Sequence, residues 1–108
     1  MLVSLDYDGT YTRDPFLWDA VVKAFRSRGH KVFVITMRTP EQGLQILRDL
    51  KDKVDEIHFT CFEAKHDYAT RNGINVNVWI DDMPFFIYMD AKERNDARND
   101  GTARPPYE

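Results

Sequence analysis

The chain has 108 residues and a mass of 12.7 kDa, which is the size of one domain. Hydrophobic residues make up 43% of the sequence, so a core can form and the disordered class is excluded for most of the chain. The balance of 15 Lys and Arg against 18 Asp and Glu gives a net charge of −3, which does not indicate a basic surface for nucleic acid or membranes.

Targeting and redox features of the sequence favour a cytoplasmic protein. No apolar run approaches the roughly 18 residues of a membrane span, and the N-terminus, with an acid at Asp6, does not resemble a signal peptide. The single cysteine, Cys61, cannot form an internal disulfide and is interpreted as a buried neutral thiol. We therefore expect a cytoplasmic location without membrane contact.

The first half of the chain alternates apolar runs with helical patterns. Leu2 to Leu5 predict a buried strand that stops at a polar loop. Asp14 and Pro15 are typical of a helix start, because aspartate caps free backbone N–H groups and proline fits the first turn. Gly29 ends this helix, and residues 32 to 35 predict the second strand.

The second half repeats this alternation. A capping box over residues 39 to 42, with proline inside it, predicts a second helix. The apolar residues predicted to line its buried face are Leu44, Leu47, Leu50 and Val54. Residues 57 to 60 predict a third strand, and residues 63 to 72 predict a third helix that Gly73 ends. Residues 76 to 80 predict a fourth strand.

This order of elements predicts an α/β protein with a parallel sheet, right-handed crossovers and helices on both faces. The expected fold is a single-domain, three-layer α/β/α Rossmann-like arrangement over residues 1–98, followed by a flexible tail over 99–108. Phe85 to Met89 are interpreted as an edge strand or a buried helical turn. A further hypothesis is that these apolar residues form the contact of a homo-oligomer.

Polar side chains collect where the predicted strands end. They are Asp6, Asp8 and Thr10 after the first strand, Thr36 and Arg38 at the second, Asp81 and Asp82 after the fourth, and Lys65 near the start of the third helix. In an open parallel sheet, ligands bind at this carboxyl edge. Carboxylates about 4 Å apart repel by several kcal/mol, so a cation must offset them. Oxygen ligands suit Mg²⁺, and Lys65 supplies a second, fixed positive charge.

These motifs resemble those of the haloacid dehalogenase (HAD) superfamily of phosphohydrolases. The first motif of that family is a hydrophobic strand followed by Asp-x-Asp-Gly-Thr, which residues 6 to 10 match. The second is a strand ending in Ser or Thr, matched by Thr36, and the third is a lysine before the last core strand, matched by Lys65. The fourth is a strand ending in paired acids, matched by Asp81 and Asp82. All four occur in order, and the first is the most specific.

The resemblance implies a Mg²⁺-dependent phosphatase that hydrolyses a phosphomonoester through an aspartyl phosphate. In this reading Asp6 attacks phosphorus, while Asp8 protonates the leaving alcohol and then activates water. The implied ligands of Mg²⁺ are Asp6, the backbone carbonyl of Asp8, Asp81 and Asp82. Thr36 would bind a phosphoryl oxygen, and Lys65 would neutralise charge on the nucleophile and phosphate. The further candidates for contact with substrate phosphate are Gly9, Thr10 and Arg38, although Arg38 alternatively projects into solvent.

The motif spacing leaves no room for the cap domains that larger relatives insert. Residues 11 to 35 and residues 37 to 64 each hold little more than one helix and one strand. A capless active site is open, which in relatives of this kind goes with large substrates or with a lid from a neighbouring subunit. We therefore favour a nucleotide or nucleic-acid end over a small metabolite, although the net charge of −3 provides no obvious polyanion groove.

Two other functions are weighed against the phosphatase. One is a HAD-like scaffold that has lost activity and serves as a binding module, which the presence of every acidic motif residue argues against. The other is a phospho-acceptor receiver domain, which combines acids, a threonine and a lysine on a similar sheet. Receivers place paired acids after the first strand and the lysine after the last, an order that this sequence contradicts.

Overall fold

Four parallel strands form one sheet in the part of the chain that the computed structural model describes, residues 1–91. The strands are β1 (Leu2–Leu5), β2 (Lys31–Thr36), β3 (Glu56–Phe59) and β4 (Val78–Ile80), in the spatial order β3-β2-β1-β4. The helices are α1 (Pro15–Ser27), α2 (Leu44–Leu50) and α3 (Lys65–Arg71). Three 3₁₀ turns cover Tyr11–Arg13, Pro40–Gly43 and Pro84–Ile87.

The core lies in two layers, one on each face of the sheet. Alternate strand residues such as Val3 and Val34 pack with Val22 of α1 and with Ile46 and Leu50 of α2. On the other face the buried residues are Phe33, Ile35 and, from α3, Ala69. The predicted α/β class and parallel sheet are therefore confirmed, and the arrangement of helices on both faces is compatible with a Rossmann-like fold.

The strand order places a switch point between β1 and β4. The chain moves outward from β1 to β2 and β3, and then returns to the opposite side of β1 to form β4. The loops after β1 and β4 therefore diverge at the carboxyl edge, where open parallel sheets of this kind bind ligands.

The predicted caps at residues 14 and 39 are present, whereas α3 covers Lys65–Arg71 and not the predicted residues 63 to 72. The side chain of Asp14 accepts a hydrogen bond from the backbone N–H of Leu17 at 3.1 Å, which caps α1. Thr39 and Gln42 form both hydrogen bonds of a capping box, although the turn that follows is a 3₁₀ turn before α2 begins. Between residues 11 and 64 the chain forms these helices, turns and strands with no cap domain.

The predicted buried face of α2 is confirmed at Leu50 and Val54, which are buried, and Leu47 is half-buried. Leu44 is the error, because it is 63% exposed while Ile46 is fully buried. Just before the helix, Gly43 packs so closely that a Cβ atom there would lie 1.9 Å from the ring of Phe59. The chain packs through the backbone at Gly43, and Leu44 faces outward.

The fourth strand is shorter than the predicted range of residues 76 to 80. The backbone N–H of Asn77 donates to the carbonyl of Leu2 at 2.9 Å, but its side-chain oxygen, rather than its carbonyl, accepts from the N–H of Leu2 at 2.8 Å. The regular ladder with β1 therefore begins at Val78.

The structure corrects the prediction for Cys61 and decides between the two interpretations of residues 85 to 89. Cys61 is exposed, not buried, because it and Phe62 have positive φ angles of 54° and 72°. This turn carries Phe62 toward the buried Met37 and leaves the thiol outside. Pro84–Ile87 form a 3₁₀ turn with Ile87 buried, so the helical-turn interpretation is confirmed and the edge strand is wrong.

Some predictions fall outside the described residues. The tail predicted over 99–108 and the end of the predicted 1–98 core lie beyond residue 91. Within residues 1–91, no helix combines the length and apolar character needed to cross a membrane. The oligomer contact proposed for Phe85 to Met89 stays a prediction.

The packing of α2 predicts unequal effects of two truncations. Ile46→Ala removes a fully buried side chain and should lower the free energy of unfolding by about 2–5 kcal/mol. Leu44→Ala removes an exposed side chain and should change it by less than about 0.5 kcal/mol. Urea denaturation of both variants measures these values, and similar losses would contradict the assigned buried face.

Candidate active site

A buried lysine joins the ends of the two strands at the switch point. The ammonium group of Lys65 donates to Oδ1 of Asp6 at 2.9 Å and to Oδ2 of Asp81 at 2.6 Å. All three side chains are at most 2% exposed. Asp6 directly follows β1 and Asp81 directly follows β4, so Lys65 ties both strand ends to α3.

Backbone contacts hold both acids in place. The N–H of Asp6 donates to the carbonyl of Ile80 at 2.9 Å, which continues the pairing of β1 with β4 into the site. The N–H of Met83 donates to Oδ1 of Asp81 at 2.9 Å, leaving Oδ2 directed at Lys65. Because Lys65 is the first residue of α3, its side chain starts at the carboxyl edge of the sheet.

Lys65, Asp6 and Asp81 together carry less positive than negative charge when all three are ionised. Burial raises the pKa of Asp6 well above its usual range, and the Asp81 carboxylate adds to this effect although Lys65 opposes it. Burial lowers the pKa of Lys65, but the carboxylates of Asp6 and Asp81 raise it by more, so the ammonium form is retained. The group therefore favours one more positive charge beside Asp6, which a proton or a metal cation can supply.

Asp82 and Thr10 complete the acidic cluster. The hydroxyl of Thr10 lies 3.1 Å from Oδ2 of Asp6 and 3.1 Å from Oδ1 of Asp82, and it accepts from the N–H of Asp82 at 3.1 Å. Carboxylate oxygens of Asp6, Asp81 and Asp82 all lie within 4.8 Å of one another. Asp82 is exposed, so the cluster opens to solvent on its side.

The donor set fits a hard divalent cation. The site holds four carboxylates, of which Lys65 contacts Asp6 and Asp81, Arg38 contacts Asp8, and Asp82 is hydrogen-bonded to Thr10. This leaves a formal excess of two negative charges, which one Mg²⁺ would neutralise. Three clustered carboxylates with water as the remaining ligand are typical of Mg²⁺ or Ca²⁺ sites, and nothing in the cluster distinguishes these ions.

Asp8 faces a different partner from the other three acids. Nε of Arg38 donates to its Oδ2 at 2.7 Å, and Nη2 donates to its Oδ1. Nη1 of Arg38 donates to the carbonyl of Gln42 at 2.6 Å. Arg38 therefore does not project freely into solvent. The Asp8 side chain is not part of the acidic cluster of Asp6, Asp81 and Asp82. Its role as a metal ligand rests on its backbone carbonyl and stays a prediction.

The remaining predicted residues also lie at this edge. Thr36 is fully buried, and its hydroxyl accepts from the N–H of Arg38 at 3.4 Å. Gly9 has a φ of 83° and its N–H donates to the hydroxyl of Thr12 at 2.9 Å. The structure thus brings together the residues chosen from the motifs, while their chemical roles stay predictions.

Tyr7 is a residue of the site that the motifs did not point to. Tyr7 stands between Asp6 and Asp8 in the sequence and its side chain is buried. Its hydroxyl donates to Oδ2 of Asp49 at 2.8 Å. Its ring stacks on Tyr11 at 5.6 Å and lies 5.6 Å from the guanidinium carbon of Arg38. The alternation of side chains along an extended segment could have indicated that Tyr7 points into the core while Asp6 and Asp8 do not.

A cavity that sequence reasoning also missed adjoins the acidic cluster. It has a volume of about 350 Å³ and is lined by Gly9, Thr10, Arg13, Trp18, Ile80, Asp81 and Asp82. Larger cavities of about 420 Å³ lie between α1 and α2, but they contain none of the four carboxylates of the site. The smaller cavity is therefore the one that matters for chemistry at this edge.

Comparison with protein-family models, curated proteins and solved structures gave no match. The function must therefore be argued from the residues and geometry of the site itself.

The close approach of Gly9 to Asp82 predicts a loss of cation binding in Gly9→Ala. A Cβ at Gly9 would lie 2.4 Å from Oδ2 of Asp82, so the carboxylate must move out of the cluster. Gly73→Ala is the matched control, because Gly73 also has a positive φ, 70°, but open space around it. Mg²⁺ should raise the Tm of Gly73→Ala as in the wild type and raise that of Gly9→Ala much less. An equal rise in both variants would contradict this geometry.

Removing the buried lysine should destabilise the fold far more than removing a surface one. Lys65→Met leaves the carboxylates of Asp6 and Asp81 buried without their cation, which should cost about 3–5 kcal/mol in Mg²⁺-free buffer. Lys53→Met breaks an ion pair of similar length, 2.9 Å to Asp19, between half-exposed side chains and should cost less than about 1 kcal/mol. Denaturant unfolding measures both values, and comparable losses would argue against a buried ion triad.

Proposed function

We propose that this chain is a Mg²⁺-dependent phosphohydrolase of the HAD type, acting on a phosphomonoester through an aspartyl phosphate. The observation that carries the proposal is the contact of Lys65 with both Asp6 and Asp81, beside Asp82, at the switch point of a parallel sheet. An ion-paired acid buried at a ligand-binding edge, with a second pair of acids ready for a cation, fits phosphoryl transfer better than it fits a purely structural role.

The first chemical step is assigned to Asp6 and Asp8. A carboxylate oxygen of Asp6 forms a bond to phosphorus while the bond from phosphorus to the leaving alcohol breaks. Asp8 gives a proton to that alcohol oxygen. In the second step Asp8 takes a proton from water, the water oxygen attacks phosphorus, and inorganic phosphate leaves with Asp6 restored.

The surrounding residues serve to bind and to balance charge. Asp6, Asp81 and Asp82 would hold Mg²⁺, which supplies positive charge to the phosphoryl oxygens when bound. Lys65 lowers the pKa that burial and Asp81 raise at Asp6, and the hydroxyl of the buried Thr36, at the end of β2, is assigned to a phosphoryl oxygen. Thr10 positions Asp82 relative to Asp6, which suits it better to orienting acids than to binding phosphate.

Arg38 sets a condition on this mechanism. Both oxygens of Asp8 accept hydrogen bonds from the guanidinium group of Arg38. To reach the leaving alcohol, Asp8 has to turn one of these oxygens away from Arg38. A phosphoryl group arriving at the site is a competing acceptor for the same guanidinium, so substrate binding and the release of Asp8 are coupled.

The same contact supports a second candidate, a module that accepts or binds phosphate without turnover. If Arg38 keeps Asp8 engaged, the aspartyl phosphate on Asp6 is not hydrolysed efficiently. This candidate comprises both the inactive HAD-like scaffold and the less favoured receiver-like domain, and it differs from the phosphatase in the fate of the phosphoryl group.

The proposal predicts that Asp6→Asn loses hydrolysis of p-nitrophenyl phosphate in the presence of Mg²⁺ by about 10³-fold or more, because the nucleophile is removed. The control is Asp52→Asn, an exposed acid that follows α2 and lies toward the opposite edge of the sheet. Steady-state release of phosphate measures both rates.

Each outcome decides between the candidates. Equal rates for wild type and Asp6→Asn would exclude the phosphatase mechanism. Hydroxylamine-sensitive labelling of the wild type by acetyl [³²P]phosphate, without release of phosphate, would identify the module that does not turn over.

A further inference from the structure

The cavity beside the acidic cluster has a composition that selects a particular kind of substrate. It touches the loops after both β1 and β4, through Gly9 and Thr10 on one side and Asp81 and Asp82 on the other. It therefore lies at the switch point. When the acids hold the phosphoryl group of a substrate, the rest of that substrate would occupy this cavity.

We propose that this cavity binds the nucleoside part of a phosphorylated nucleotide, with Trp18 as the surface on which the base stacks and Arg13 as the contact for a neighbouring phosphodiester. This inference rests on the proposed phosphohydrolase function and names the substrate class of that site. The shared chemistry is a nucleotide unit, either free or at the end of a nucleic-acid strand.

Trp18 has the setting of a stacking residue. It is the fourth residue of α1, its backbone N–H donates to the carbonyl of Asp14 at 3.1 Å, and it packs partly buried against the core beneath α1. Trp18 is also one of the residues that line the cavity. Among residues 1–91 no aromatic ring is paired with Trp18. A fixed indole without an aromatic partner is the kind of surface on which a base stacks, largely without regard to its sequence.

Arg13 supplies the cation of the same cavity. It ends the 3₁₀ turn Tyr11–Arg13, with its N–H donating to the carbonyl of Thr10 at 3.2 Å, so its backbone is fixed next to the site. The residue is exposed, and no carboxylate within the described range 1–91 pairs with it. An arginine in this state is suited to bind a phosphate or phosphodiester group of a ligand.

Size and chemistry favour a nucleotide over the alternatives. A volume of about 350 Å³ is near the lower end of the roughly 300–1,000 Å³ typical of small-molecule sites, so it suits one nucleoside unit. A small aliphatic phosphate would leave Trp18 without a partner. A phosphotyrosine also offers a flat ring, but a strand end adds a phosphodiester beside its terminal phosphate, which gives Arg13 a counter-charge.

A binding measurement tests the cavity independently of catalysis. Adenosine 5′-monophosphate and a 5′-phosphorylated hexathymidylate are titrated into Asp6→Asn protein with Mg²⁺, and tryptophan fluorescence is recorded. The chain has two tryptophans. The second, Trp79 of β4, packs against the core layer of Phe33, Ile35 and Ala69 and is not a lining residue of the cavity. We expect saturable quenching of the fluorescence in Asp6→Asn protein, and no quenching in protein that carries Trp18→Phe as a second substitution. Quenching that persists in the Trp18→Phe protein, or no binding of either probe, would overturn the proposal.

A kinetic comparison tests specificity in the active protein. In Trp18→Leu, the ratio of kcat/KM for the hexathymidylate to kcat/KM for glycerol 2-phosphate should fall about tenfold, because only the nucleotide stacks. The matched control is Phe16→Leu, which removes an aromatic side chain of the same helix that is 90% exposed and does not line the cavity. An unchanged ratio in Trp18→Leu, or an equal fall in Phe16→Leu, would contradict the assignment.

Arg13→Ala separates the two sources of the nucleotide, with Arg28→Ala at the far end of α1 as its control. Loss of activity on the strand end but not on the mononucleotide identifies a nucleic-acid end, and equal loss on both identifies a free nucleotide.

Preference for a phosphotyrosine peptide over both nucleotides would overturn the proposal. Hydrolysis of glycerol 2-phosphate without nucleotide preference rejects this inference alone, whereas nucleotide binding without any hydrolysis rejects the phosphohydrolase alone.

Discussion

The contact of one buried ammonium group with two buried carboxylates is the constraint on which this structure depends. Lys65 has to leave water to reach the switch point, and the charges of Asp6 and Asp81 offset the cost of that burial. In satisfying Lys65, the chain joins β1, β4 and α3 at a single place. The lysine still leaves the acids in excess, so the same contact that closes the fold also creates the demand for a further cation.

Much of this site follows from simple rules applied to the sequence. Because parallel strands end at the same edge, Asp6 and Asp81 are brought together once the four strands are recognised, and Lys65 follows from its place at the start of the next helix. The pairing of Arg38 with Asp8 does not follow in this way. It depends on how the loop after β2 turns toward the loop after β1, and nothing in the spacing of the two residues encodes that turn.

The errors have local physical causes that a helical or strand pattern does not contain. The periodicity of Leu44, Leu47 and Leu50 places Leu50 correctly in the core, but it does not show that Gly43 packs against the ring of Phe59 or that Ile46 is buried while Leu44 is exposed. Cys61 is of a residue type that is usually buried, yet its positive φ reverses the chain and leaves the thiol exposed. The packing at Gly43 and the backbone conformation at Cys61 are features of the folded chain at those two points, so a pattern read along the sequence cannot supply them.

Tyr7 has a consequence that reaches beyond packing. Its hydroxyl is tied to Asp49 of α2 and its ring is stacked on Tyr11, so the short segment that carries Asp6 and Asp8 is anchored from its middle. The two acids therefore cannot drift independently of each other. The placement of their backbone is therefore set before any ligand arrives, and the release of the Asp8 side chain from Arg38 is the rearrangement that remains. No cap domain lies among the described residues, so under the proposed function this anchoring from within the core would take the place of the ordering that a closing lid provides in larger enzymes.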